Sequence, residues 1–334
     1  MFIKRKLLLL ISILFISCSN YKVTDPFASE DGNSNIPISN IPENVDSKYF
    51  VSADYKEADI EFIMQEYFKK YGCYIIFIND KKDNINKNNT IDTINNIIKK
   101  DKYLKGVSLD LSRTDMTELK DNAFKDNKNL IHVKLPNTIT TIGTEAFSGC
   151  SLLKTINFPA SIKEIKIEAF KLCQSLYSAD LSKTKLTIIN NQTFYNCNSM
   201  VSVTLPETLT KGIDANAFNA CTALKTINIP TKLNALGDAC FYECKSLKSI
   251  KLNAAVKEIG DRIFFGCTLL TDIEYAGNKP SDITTVGNEI FKDSAASKTL
   301  YLPNVSKDDG TWNNFLGYDW KKNGKIIFGK SMPK

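Results

Sequence analysis

Six cysteines stand at one recurring place in this sequence. Cys150, Cys173, Cys197, Cys221, Cys244 and Cys267 each follow a phenylalanine by three residues, at spacings of 23 or 24. Thiols at such intervals have three possible fates: metal ligation, disulfide bonding or burial. Metal ligation fits poorly. Thiolate sites use C-x₂₋₄-C with a second pair, and only Cys240 and Cys244 lie that close. Disulfides fit better by distance, because stacked 23-residue coils would set matching Cα atoms ~5 Å apart, inside the bridging range. Side chains in a parallel ladder point alike, however, which is poor geometry for a bridge. Cysteine is also small, apolar and often fully buried. The expectation is a structural ladder of buried free thiols, with Cys73 in the core elsewhere.

Acid–base chemistry has little to work with. His132 is the only histidine, and no serine or cysteine elbow lies near it. The best acid pair is Asp272 and Glu274, which alternate with Ile273 so that their carboxylates would stand ~6–7 Å apart on a strand, a separation glycosidases use. That pair lies on an open face with no pocket. No phosphate-binding glycine loop occurs. The expectation is a non-enzyme: no catalytic residue, no metal, no cofactor and no small-molecule substrate.

One cysteine does point to covalent chemistry. The chain opens MFIKRKLLLLISILFISCSN. Lys4, Arg5 and Lys6 form a positive start, and the apolar run Leu7 to Ile16 is too short to span a bilayer. Phe15-Ile16-Ser17-Cys18 resembles a bacterial lipobox, in which the cysteine receives a diacylglyceryl group and becomes the new N-terminus. Residues 1–17 are therefore expected to be a lipoprotein signal peptide and Cys18 the lipid anchor. Ser19 carries no acidic retention signal, which favours the outer membrane. Residues 18–47 are rich in Ser, Asn, Asp and Pro without apolar period and read as a flexible tether.

The whole 334-residue chain has a globular composition, 43% hydrophobic and 24% charged, with a formal charge of +6. Removing the signal's three basic residues leaves 40 basic against 37 acidic. That balance, with no basic patch interleaved with aromatics, excludes a nucleic-acid partner. Residues 48–105 read as a small α/β cap. Ile60, Ile63, Met64, Tyr67 and Phe68 keep helical spacing up to Gly72, CYIIFIND reads as a strand, residues 80–89 as a loop, and Ile91, Ile94, Ile97 and Ile98 mark a second helix.

From residue 106 to 303 one phrase repeats. Phenylalanine recurs at 124, 147, 170, 194, 218, 241, 264 and 291. After the first seven, Leu or Met follows six residues later; an apolar residue stands nine later and another eleven later, often with proline next. Positions nine and eleven share one side of a short strand, and position ten takes the other. One coil cannot bury its own apolar side, but stacked coils can. Residues 304–334 are expected to close the stack as a C-terminal cap. The pattern F-x-x-C-x-x-L-x-x-I-x-L-P resembles the bacterial BspA-like leucine-rich repeat. The resemblance implies an α/β solenoid of parallel strands, about eight coils of 23–24 residues, with adhesion to host proteins, matrix or other cells. Asn127 and Ser294 depart from the repeat where cysteine is expected.

The outward strand positions, eight and ten residues after each phenylalanine, are the candidate contact surface. Position eight is mostly Ser and Thr, as a solvated sheet prefers. Position ten changes in charge and shape from coil to coil. The candidate partner-binding residues are His132, Lys134, Tyr177, Asp180, Lys251, Glu274 and Tyr301. The reading is a lipid-anchored, surface-exposed envelope protein that binds a protein or glycoprotein such as host matrix. A non-catalytic envelope scaffold is the alternative.

Overall fold

The computed structural model describes residues 45–87, 89–104 and 106–333. The expected signal peptide, Cys18 and the expected tether up to residue 44 lie outside the described residues. Twelve short strands form one side of a solenoid: β1 (Phe50–Val51), β2 (Tyr74–Ile78), β3 (Val107–Asp110), β5 (Leu130–Lys134), β7 (Thr155–Ile156), β9 (Ser178–Asp180), β11 (Ser202–Thr204), β13 (Thr226–Ile227), β15 (Ser249–Leu252), β17 (Asp272–Tyr275), β19 (Lys298–Leu302) and β20 (Gly324–Phe328). Eight more form the back: β4 (Glu118–Leu119), β6 (Thr141–Ile142), β8 (Glu164–Ile165), β10 (Ile188–Ile189), β12 (Gly212–Ile213), β14 (Ala235–Leu236), β16 (Glu258–Ile259) and β18 (Thr285–Val286). Every pair is parallel, and partners are equivalent repeat positions, as in Ile250 opposite Ile273 opposite Leu300. The back strands were not expected. A two-residue strand leaves no alternation to read, only one recurring aliphatic position, mostly isoleucine.

The N-terminal α/β region extends this sheet rather than standing apart. β1 pairs with β2, and β2 with β3. Helix α1 (Glu57–Tyr71) starts where the Asp59 carboxylate accepts the Lys56 N–H, and stops at Gly72, whose φ of 74° suits a residue without Cβ. It buries Ile60, Met64 and Tyr67. Helix α3 (Thr90–Ile98) buries Ile91, Ile94, Ile97 and Ile98 over the end of the stack. Two local expectations fail here. The stretch read as a loop contains helix α2 (Lys82–Lys87), whose single apolar anchor, Ile85, gives no period. Cys73 is exposed, because it sits in the turn after the Gly72 cap rather than inside the strand.

Each coil is bound to the next in three ways. The eight phenylalanines stack along the axis, with ring centroids 5.3–5.8 Å apart and planes within 15°. Around each ring the backbone adopts an unusual form. Residues two before and two after are left-handed, from Asn122 (φ 60°) and Asp126 (φ 58°) to Glu289 (φ 53°) and Asp293 (φ 57°). The N–H groups of Asn122, Phe124 and Asp126 then all donate to the following coil, at Thr144, Ala146 and Ser148 carbonyls 2.7–2.8 Å away. The pattern continues to Gly266 donating to Lys292. Most of the left-handed residues are not glycine, so each costs on the order of 1 kcal/mol, offset by backbone bonds that would otherwise be missing in a buried turn.

The third tie is the cysteine. Each ladder thiol is buried and donates to the phenylalanine carbonyl of the preceding coil: Cys150 to Phe124, Cys173 to Phe147, Cys197 to Phe170, Cys221 to Phe194, Cys244 to Phe218 and Cys267 to Phe241, at 3.1–3.3 Å. Burial pushes the Cys150, Cys221 and Cys267 thiols up to about 12, and the other three in the same direction. The exception at Asn127 follows from this geometry. The first coil has no preceding phenylalanine carbonyl, so its amide reaches helix α3 instead, donating to Asn95 Oδ1 at 2.8 Å. At the other end, β20 adds beside β19, and Trp312 and Trp320 are buried under the last coil.

Two outcomes follow. Phe194→Ala, in mid-stack, should cost about 3–5 kcal/mol by urea unfolding, and more than Phe291→Ala at the end of the column. In the native full chain iodoacetamide should modify Cys73 while sparing Cys240 and the six ladder thiols until unfolding, as peptide mass mapping would show. Ladder thiols that stay blocked after unfolding without reductant would report disulfides instead.

Candidate binding surface

The strand side presents its outward residues in registered columns. In position eight, His132 lies opposite Thr155, and its Nδ1 is 2.7 Å from the Thr155 hydroxyl. In position ten, Lys251, Glu274 and Tyr301 are direct neighbours on β15, β17 and β19. Lys134 reaches towards buried Asp110, 4.0 Å away. Asp180 is exposed beside Thr204, its carboxylate accepting the Ser182 N–H. Tyr177 is 38% exposed. The structure thus places the candidates in three groups: His132 with Lys134, Tyr177 with Asp180, and Lys251 with Glu274 and Tyr301. Burial, with the Asp272 carboxylate next to it, pushes the Tyr301 phenol above its ordinary value.

Glu274 differs from expectation. It is only 9% exposed. Its Oε2 accepts the Met332 N–H at 2.6 Å and lies 3.4 Å from Lys251 Nζ. The C-terminal tail crosses the strand face there and covers it. That contact also engages one carboxylate of the Asp272 and Glu274 pair. Asp272 accepts from its neighbour Thr271, while Glu274 is held by the tail. Among the described residues, no group of three ligand side chains is placed to hold a metal, and no helix is long and apolar enough to cross a membrane.

The column is also interrupted. The strand-side ladder divides after β7 and again after β13. Each division follows an asparagine at position ten. In an unbroken pair, the position-eleven N–H donates to the next coil's position-ten carbonyl, as Leu181 does to Thr204 at 2.8 Å. At Asn157 and Asn228 the side chain takes over. Leu135 N–H donates to Asn157 Oδ1 at 2.6 Å, and Asn157 Nδ2 donates back to Leu135 at 3.1 Å. Leu205 and Asn228 repeat this at 2.7 and 3.0 Å. The side-chain amide replaces the strand's own peptide, so β7 and β13 end after two residues. Beyond each lies a cleft. The first, of about 240 Å³, is lined by Ile156, Phe158, Asp180 and Lys183 among others. The second, of about 410 Å³, is lined by Ile227, Ile229, Lys225, Lys251 and Met332 among others. Sequence reasoning missed both. The available signal was asparagine, a residue strands disfavour, at a strand position.

Comparison with known proteins agrees with this architecture. The BspA-type leucine-rich repeat region matches residues 117–211 and 187–310, in six copies. No curated protein matches the chain. Among solved structures, a Treponema pallidum leucine-rich repeat protein, TpLRR, is 32% identical over 50% of this chain and 78% of its own, with a TM-score of 0.45. A leucine-rich cell surface protein of Faecalibacterium prausnitzii is 22% identical, covering 57% and 64%, with a TM-score of 0.46. A leucine-rich repeat protein of Bacteroides ovatus is 20% identical, covering 66% and 74%, with a TM-score of 0.36.

The asparagine bridges predict a contrast. Asn228→Ala strands the Leu205 N–H and carbonyl and should cost about 1–3 kcal/mol. Thr204→Ala, in the same column but exposed, should stay within about 0.5 kcal/mol. Urea unfolding of both variants measures it.

Proposed function

The chain belongs to the BspA-type leucine-rich repeat family, and on that premise we propose that it is a lipid-anchored, surface-exposed envelope protein. It binds a protein or glycoprotein through the strand face of its solenoid. The observation that carries this is the contrast between columns. The positions that hold coils together repeat with the same chemistry, whereas position ten, apart from the bridging Asn157 and Asn228, runs through Lys134, Asp180, Thr204, Lys251, Glu274 and Tyr301. A scaffold needs no such variety, and a recognition surface does. Broad solenoid faces suit large partners rather than small substrates.

Fold alone does not fix function, so the remaining support comes from residues. Two or more acyl chains on Cys18 give stable membrane attachment, which a single chain does not. Residues 18–47 then hold the solenoid away from the bilayer. His132, Lys134, Tyr177, Asp180, Lys251 and Tyr301 are the proposed contact residues, with Glu274 joining them when the tail is displaced. The cap regions, 48–105 and 304–334, serve the stack and leave contact to residues 106–303.

Protease treatment of intact cells tests this, with a periplasmic protein as leakage control and a blot for the repeat region. Loss of the signal on intact cells is expected, and Cys18→Ala should move the protein from the detergent phase to the aqueous one. Protection until the envelope is broken would support the internal scaffold instead. A Cys18→Ala protein that stays in the detergent phase would remove the lipid anchor from the account.

A further inference from the structure

The cleft between β13 and β15 leaves apolar strand-side residues part-exposed. Position nine is buried in neighbouring coils, at Val203 and Ile250, but Ile227 is half-buried, and so is Ile229 two residues on. The ladder is interrupted there, between β13 and β15, beside the Asn228 side chain that bonds back to Leu205. The chain's own end lines the same cleft. Met332 lines the cleft with Ile227 and Ile229, its side chain is 9% exposed, and its N–H is held by Glu274. Methionine suits an irregular gap because it is unbranched, flexible and polarisable. The Glu274 contact is a charge-assisted bond to a backbone N–H, which any non-proline residue in an extended segment can supply.

We propose that this cleft is a docking site for an extended peptide bearing an unbranched apolar side chain, with residues 331–333 as its resident occupant. A partner segment of that chemistry enters by displacing the tail. It places its apolar side chain on Ile227 and Ile229 and gives its N–H to Glu274. Lys251, 3.4 Å from Glu274, tempers the charge there, so a neutral backbone donor is preferred to a cation. This deepens the reading of the strand face as a binding surface, and it rests on that reading.

A short tether presents its end at an effective concentration of about 1 mM. A tail seated for about nine-tenths of the time therefore implies half-saturation by the same segment in trans near ~0.1 mM. The probe is a fluorescent peptide of sequence FGKSMPK, residues 328–334, titrated by anisotropy. The hosts are the purified full chain and a chain ending at Lys330. The shortened chain should bind with half-saturation well below ~1 mM, and the full chain about 10-fold more weakly. A peptide carrying Met332→Asp should not bind, and Glu274→Gln in the host should weaken capture several-fold. A full-length Met332→Ser host, whose tail is released without truncation, should behave like the shortened chain. Equal affinity for the full and shortened chains, or no saturation of the shortened and Met332→Ser hosts by ~1 mM, would overturn the proposal. The titration uses purified protein, so it fails or succeeds independently of where the protein sits in the cell.

Discussion

Everything in this fold depends on one constraint: no coil can satisfy itself. A single 23-residue turn has one apolar side, a phenylalanine with nothing to stack on, a thiol with no acceptor and a row of N–H groups aimed out of its own plane. Each is completed by a neighbour. The phenylalanine meets the next ring, the thiol reaches back one coil, and the N–H groups around the ring donate forward one coil. The left-handed residues flanking each ring are the local cost of this arrangement. They are tolerated because the alternative is buried, unpaired backbone, which costs more.

The same constraint explains the ends and the surface. At the first coil, Asn127 stands where cysteine would have no acceptor, and helix α3 supplies its partner. At the last, β20 and two buried tryptophans close what a ninth coil would have covered. On the strand side the backbone claims some outward positions too. Asn157 and Asn228 serve the ladder rather than a ligand. The side chains that neither the stack nor the ladder uses face outward beside the clefts next to these asparagines.

The repeat was legible in the sequence because its phenylalanine, leucine, isoleucine and cysteine keep phase over more than half the chain, and the parallel strands follow from that phase. Helices α1 and α3 were legible for the same reason, as apolar residues at helical spacing. Other features leave no such trace. The left-handed positions are filled by Asn, Glu, Gln, Ala, Arg and even Leu172, so no run of glycines betrays them. Helix α2 has one apolar anchor. The bridging asparagines look like ordinary polar residues until the register shows what lies opposite. The tail, GKSMPK, has no period, so the covering of Glu274 could not be read from spacing.

Amide hydrogen exchange, resolved to single residues on the full chain, tests the central claim that each coil is held by the next. The N–H groups of Phe170, Phe194 and Phe218 sit in turns, yet they donate 2.9 Å bonds to Thr193, Ala217 and Cys240 of the following coil. They should exchange as slowly as the amides of β9 and β11. Exchange as fast as in the exposed stretch Asp308 to Gly310 would contradict the account, because the turns would then be held by something other than their neighbours.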